Sequence, residues 1–238
     1  MQQDPLAFLP CTRTTEYQPG YIIYSQAQPA TKLYLVVEGK VKVSRQASGL
    51  EVIVDIYKTD EFFGEAALAG PGRREEIAVA VDRTRVMGWT CQEIEDASAA
   101  RPRLALALLQ LMVRRTADFE ARIESFSCES ITQRLMRSLI RFADRFGHKD
   151  DDGCIKMNAL THEFLSQYIG TTREIVTHRM SQFRRDGYLE YSRSGISLHP
   201  RVYTDWFTAP ATTQLGAPIH DDAPSDKTQT ERFAVPHP

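Results

Sequence analysis

The 238-residue chain contains no run of about eighteen apolar residues, the length a membrane-crossing helix needs. Its first residues, MQQDPLAFLPC, carry neither a basic leader nor a long apolar stretch. No membrane partner or export signal is therefore expected, and the cytoplasm is the default location. Cysteine is scarce: Cys11, Cys91, Cys128 and Cys154 lie far apart without C-x-x-C spacing, which argues for independent reduced thiols and against a disulfide frame or a metal site. A single redox-sensing thiol stays open. Catalytic signatures are missing too, with no G-x-S-x-G, no Walker loop and no H-E-x-x-H, so neither an enzyme nor a metal is expected. Charge is nearly balanced, 29 Lys and Arg against 31 Asp and Glu. That balance conceals a local bias, since Thr161 to Arg201 holds six arginines and three histidines against four acids.

The stretch Leu160 to Arg185 carries the strongest pattern. Thr161 can N-cap a first helix with Phe164, Leu165, Tyr168 and Ile169 at helical spacing, and Gly170 stops it. Thr172 caps a second helix almost at once. This helix should turn Ile175, Val176, Met180 and Phe183 inward and Arg173, Glu174, Thr177 and His178 outward. Arginine can donate twice to guanine O6 and N7, and a carboxylate can accept from the cytosine amino group, so the outward set suits base reading. After Gly187, the segments Tyr188–Tyr191, Ser192–Gly195 and Ile196–Leu198 read as strand, turn and strand, which is a wing.

The segment GTTREIVTHRMSQFRRDGYLEYSRSGISL resembles the DNA-binding end of the catabolite activator / fumarate-nitrate regulator (CRP/FNR) family. The resemblance implies double-stranded DNA as partner, with Thr172, Arg173, Glu174, Thr177, His178 and Arg179 at the interface. Where many relatives have arginine this chain has His178, whose neutral ring cannot make the bidentate guanine contact.

From about Thr15 to Trp89 the chain alternates short apolar strands with turns, the density of a jelly roll or barrel. The segments LYLVVEGKVKV and DEFFGEAAL resemble the cyclic-nucleotide-binding barrel of the same family. Its phosphate-binding cassette corresponds to GEAALAGPGRREEIAVA, with Gly64, Glu65 and Arg74 in place. The small hydroxyl residue of cyclic-AMP binders is replaced by Glu75, followed by Glu76, and a carboxylate beside a phosphate is repulsive. Control by an unidentified small molecule other than cyclic AMP is expected. Iron-sulfur and haem cofactors, which some relatives use, are not expected, because only Cys11 is N-terminal and no histidine precedes His148.

Pro102 should open a long helix reaching about Phe126, in which Leu109, Met112, Thr116, Phe119, Ile123 and Phe126 alternate steps of three and four. That is a coiled-coil seam; burial against the chain's own barrel is the other reading. The resemblance implies a parallel homodimer here, and puts Phe119-Glu120 where cyclic-AMP binders carry the threonine-serine pair that reaches adenine. Ser130 to Gly147 reads as a further amphipathic helix, followed by the acidic loop Lys149–Gly153.

The expected architecture is α+β: an N-terminal β jelly roll of the cyclic-nucleotide-binding type over 1–97, a dimerisation helix over 98–127 and a winged helix-turn-helix over 128–207. The Pro- and Thr-rich residues 208–238 read as a disordered tail. The function expected is a transcription regulator that binds an inverted-repeat operator as a homodimer. The alternative is a ligand sensor whose winged helix contacts protein.

Overall fold

The computed structural model describes residues 5–47 and 49–207; the expected disordered tail lies outside the described residues. The N-terminal half contributes strands β1 (Thr15–Tyr17), β2 (Ile22–Tyr24), β3 (Lys32–Glu38), β4 (Lys40–Ala47), β5 (Leu50–Lys58), β6 (Phe62–Phe63), β7 (Ile77–Ala80) and β8 (Thr84–Thr90). Helices α1 (Cys91–Ala100), α2 (Arg103–Cys128) and α3 (Ile131–Phe146) follow. The C-terminal part runs through β9 (His148–Lys149), β10 (Ile155–Met157), α4 (His162–Ile169), α5 (Arg173–Arg185), β11 (Leu189–Tyr191), β12 (Ile196–Leu198) and α6 (Arg201–Phe207).

Two antiparallel four-stranded sheets, ordered β1-β8-β3-β6 and β2-β7-β4-β5, face each other as the barrel. Alternation along the strands supplies its filling. Val41 and Val43 of β4, Val36 of β3 and Val86 of β8 meet a stack of Tyr24, Tyr34, Tyr57 and Phe63 with neighbouring ring centroids 5.2 to 6.1 Å apart. A second apolar cluster, including Leu33, Leu35, Trp89, Ile94, Leu104 and Leu108, seats α1 and the start of α2 on the barrel.

The third cluster joins the two halves of the chain. Leu135, Leu139 and Phe142 of α3, Leu165 and Ile169 of α4, and Val176, Met180 and Phe183 of α5 share it with Ile53 and Ile56 of β5. The strand therefore hydrogen-bonds within the barrel while burying two isoleucines with the C-terminal core. Over the other side of that core lies the sheet β11-β12-β10-β9.

Local chemistry fixes the helix starts. Thr90 with Glu93 and Ser130 with Gln133 form capping boxes on α1 and α3, and the Thr161 and Thr172 hydroxyls accept from the Phe164 and Ile175 amides. Gly170 ends α4 at φ 70°, and a β-carbon there would stand 3.0 Å from the Phe126 ring. The acidic loop after α3 closes the β9–β10 hairpin, Asp150 accepting from the Cys154 amide at 2.9 Å and pairing with Lys156 at 2.9 Å.

Candidate nucleic-acid interface and barrel pocket

Val176, Met180 and Phe183 anchor α5 in the core. Arg173, Glu174, Thr177 and His178 are exposed together on the outward side of its first two turns. Ile175 departs from its expected inward place and is 37 % exposed. It sits at the edge of the buried stripe, where a 100° step per residue leaves it between inside and outside.

The exposed side chains differ in freedom. The Glu174 carboxylate accepts from its own backbone N–H and the Thr172 hydroxyl, which holds its pKa below the ordinary carboxylate range. Thr177 donates its hydroxyl to the Arg173 carbonyl at 2.9 Å and lies 2.8 Å from His162 Nδ1 on α4. Arg179 is half-buried and donates to Gln182 Oε1 at 2.9 Å. Beside them the wing turn links β11 to β12, and Arg184 of α5 stacks over Tyr191 at 5.1 Å.

In the barrel, Gly64 takes φ 80° because its backbone passes under Arg74; a β-carbon would meet Arg74 Nη1 at 3.0 Å and Tyr34 Cδ2 at 3.2 Å. Arg74 is buried, donates to the carbonyls of Gly64 at 2.8 Å and Lys32 at 2.5 Å, and stacks over Tyr24 at 4.1 Å. Glu75 points away, exposed and paired with Arg45. Glu76 is the acid that turns inward, accepting from the Tyr24 hydroxyl at 2.7 Å. Burial first, and then the Glu76 carboxylate, push the Tyr24 pKa up.

Glu65 pairs with Arg115 of α2 at 2.7 Å, and Arg115 also lies 4.8 Å over the Tyr57 ring. Phe119 and Glu120, expected at the same pocket, are exposed one turn further along α2. Within one chain it is thus Arg115, which sequence reasoning passed over, that touches the cassette.

The outer face of α2 presents Leu109, Val113, Phe119 and Ile123 at 59, 60, 37 and 65 % exposure. Met112 is half-buried, and Thr116 donates to its carbonyl. Phe126, counted with the seam, is 40 % exposed and also lays its ring against Gly170 and beneath Arg134.

Three arginines near the junction went unnoticed in the sequence. Arg122 donates to Val54, Ile53 and Tyr168 carbonyls, tying α2 to β5 and α4. Arg145 reaches Asp55 and Glu61, each at 2.7 Å, and Arg141 stands 3.8 Å from Asp55. Arginines this far from their partners in sequence leave no spacing signal.

A barrel of this topology, a long helix and a helix-turn-helix with a wing define a two-part regulator of the cyclic-nucleotide-binding-domain type. A family model of the cyclic nucleotide-binding domain matches residues 14–100, and one of the Crp-like helix-turn-helix domain matches residues 133–201. A CRP-like cAMP-activated global transcriptional regulator of Mycobacterium tuberculosis is 25 % identical over 184 residues, 77 % of this chain and 82 % of the relative. The global nitrogen regulator of Synechococcus elongatus is 27 % identical over 186 residues, covering 77 % and 84 %. The crystal structure of a CRP/FNR-family transcriptional regulator from Thermus thermophilus superposes with a TM-score of 0.66 at 25 % identity, covering 79 % of this chain and 93 % of that one. The chain belongs to the CRP/FNR family and is a DNA-binding transcription regulator.

Proposed function

We propose that the chain works as a cytoplasmic homodimer on an inverted-repeat operator, with no catalytic activity. The observation that carries this reading is the pair of outward faces on one chain. One is the polar α5 face of Arg173, Glu174, Thr177 and His178; the other is the apolar α2 stripe of Leu109, Val113 and Ile123, each more than half exposed. Packing two copies through that stripe buries it and relates two α5 helices by a two-fold axis. They would enter major grooves one turn apart, about 34 to 36 Å. In this reading Thr172 fixes the start of α5, Arg173, Glu174 and His178 contact bases, and Thr177 and Arg179 assist. The barrel unit is taken as 1–97, the dimerisation helix as 98–127 and the DNA-binding unit as 128–207. Each unit is also packed on the next, β5 lending Ile53 and Ile56 to the C-terminal core and α2 lending Leu104 and Leu108 to the barrel's.

The effector pocket is the space around Gly64, Glu65 and Arg74, and its ligand is a small molecule other than cyclic AMP; Glu75, expected there, is turned outward to Arg45. Arg74 already spends two hydrogen bonds on backbone carbonyls, and Glu76 brings a carboxylate to the Tyr24 hydroxyl at the edge of the aromatic stack. Phe119 and Glu120 would enter only from the α2 pair of a dimer.

The test is selection from a random duplex library by the purified full chain, repeated with cyclic AMP. Enrichment of an inverted repeat, unchanged by cyclic AMP, is expected. Enrichment of single half-sites would overturn the dimer. Absence of any enrichment would mean either that the pocket's ligand must be bound first, beginning the search with small anions that Arg73 or Arg74 could hold, or that the winged helix makes protein contacts.

A further inference from the structure

Thr177 is exposed on the α5 face but is not free to use its hydroxyl. A threonine hydroxyl has one proton, and the Arg173 carbonyl, which can only accept, takes it at 2.9 Å. The His162 Nδ1 contact at 2.8 Å must then run the other way, with Nδ1–H donating to Thr177 Oγ1. This assigns the imidazole tautomer from the bond pattern alone. The ring is held from a second side by Tyr191 of β11, edge-on at 5.6 Å, and Tyr191 is itself covered by Arg184 and lies 3.4 Å from the Ser181 hydroxyl. His162 therefore sits between α4, α5 and the wing, fixed by all three.

The consequence is chemical. With its proton committed, Thr177 cannot donate to a base acceptor, and one of its two lone pairs is occupied as well. What is left to present is one lone pair, which could only accept from an adenine or cytosine amino group, and the γ-methyl. In the major groove an apolar side-chain group discriminates by meeting the C5-methyl of thymine.

We propose that His162 is a positioning residue for sequence readout: it holds the Thr177 hydroxyl, so that Thr177 selects a thymine through methyl-methyl contact. The inference rests on the reading that α5 faces bases. It adds a specificity determinant on α4, a helix with no other assigned part in base choice, and it fixes the base class at one operator position.

Full-length wild type, Thr177→Val, Thr177→Ser and His162→Ala are each used in random-duplex selection, and the wild-type operator is then scanned with uracil in place of thymine. Uracil lacks only the methyl. At one thymine in each half-site the wild type should lose about fourfold, the worth of one buried methyl-sized group. Thr177→Val, which keeps a methyl and has no hydroxyl, should retain that sensitivity and the same selected operator. Thr177→Ser should lose the sensitivity, and His162→Ala should relax the base preference at that position alone. A flat uracil scan in the wild type, or sensitivity that survives in Thr177→Ser and vanishes in Thr177→Val, overturns the proposal while leaving the regulator intact. No enrichment by the wild type, with or without added small anions, overturns the base-reading assignment itself, and this inference with it.

Discussion

Arg145 is where the two halves of the chain are most exposed to a single change. Its guanidinium donates to Asp55 Oδ1, Glu61 Oε2 and the Ile56 carbonyl, all at 2.7 Å, with 18 % of the side chain exposed against 15 % for Asp55. Burial alone would lower its pKa, but Asp55 and Glu61 outweigh burial and hold it raised. Arg145→Met keeps an aliphatic stem but removes the charge and the guanidinium that lies 5.2 Å over Phe146, stranding Asp55. Removing one partner of a buried pair costs about 3 to 5 kcal/mol. The lower end applies here, because Arg141 lies 3.8 Å from Asp55 and can move to it, and because Glu61 keeps 29 % exposure. About 3 kcal/mol is roughly two decades in a folding equilibrium. Urea denaturation followed by intrinsic fluorescence should show that loss, and Asp55→Asn added to Arg145→Met should recover most of it, since no uncompensated charge remains at Asp55. A double variant as unstable as the sum of the two singles would refute the argument that the cost lies in the stranded carboxylate.

Other expectations are as specific. Arg173→Ala should relax selection at one base pair and cost about 1 to 3 kcal/mol of operator binding in a filter or anisotropy titration; an equal loss on all sequences would make it a phosphate contact. Val113→Glu puts a charge into the apolar α2 stripe twice per dimer, and losing two buried valines at about 1.5 kcal/mol each should weaken self-association about a hundredfold in analytical ultracentrifugation. Burial first, and then Arg173, hold the His162 pKa below its ordinary value of 6.5. The unfolded chain therefore takes the proton first, stability falls as pH drops below about 6.5, and His162→Gln should flatten that part of a stability-against-pH curve.

The helix-turn-helix was legible because its signals are local. Thr161, Gly170 and Thr172 mark helix ends within a few residues, and α4 and α5 start one residue after the caps the sequence proposes. Helix α1 went unread although Thr90 and Glu93 form the threonine-x-x-glutamate box; only Ile94 of its ten residues is buried, so the apolar period that normally draws attention is absent. In the α2 seam, steps of three and four select Leu109, Met112 and Thr116 equally well as Leu109, Val113 and Thr116. Only the fold tells which face is bare, and Val113 is on it. Which of Glu75 and Glu76 turns inward is also a tertiary matter, decided by the reach of the Tyr24 hydroxyl across the barrel. The junction arginines were illegible for a stronger reason: Arg122 meets Val54 across 68 residues and Arg145 meets Asp55 across 90.

Those long-range contacts bear on how the barrel can act on α5. Strand β5 is hydrogen-bonded to β4 along its length, yet Ile53 and Ile56 are buried with Leu165 and Tyr168 of α4. Shifting the DNA-binding unit off the barrel would expose both isoleucines, at about 1.5 to 3 kcal/mol each as an upper bound, and would break Arg122 from Tyr168 and Arg145 from Asp55. That is comparable to the ~5.5 kcal/mol of differential affinity a ligand needs to carry a two-state equilibrium from 1:99 to 99:1. An effector in the barrel can meet it by working on α2, whose Arg115 holds Glu65 of the cassette two turns before Arg122 holds β5 and α4. Rotating α2 at Arg115 moves Arg122 and Phe126 together, and Phe126 lies against Gly170 at the turn into α5. The smallest movement that reaches the recognition helix therefore runs through α2 and the Gly170 turn rather than through separation of the two units.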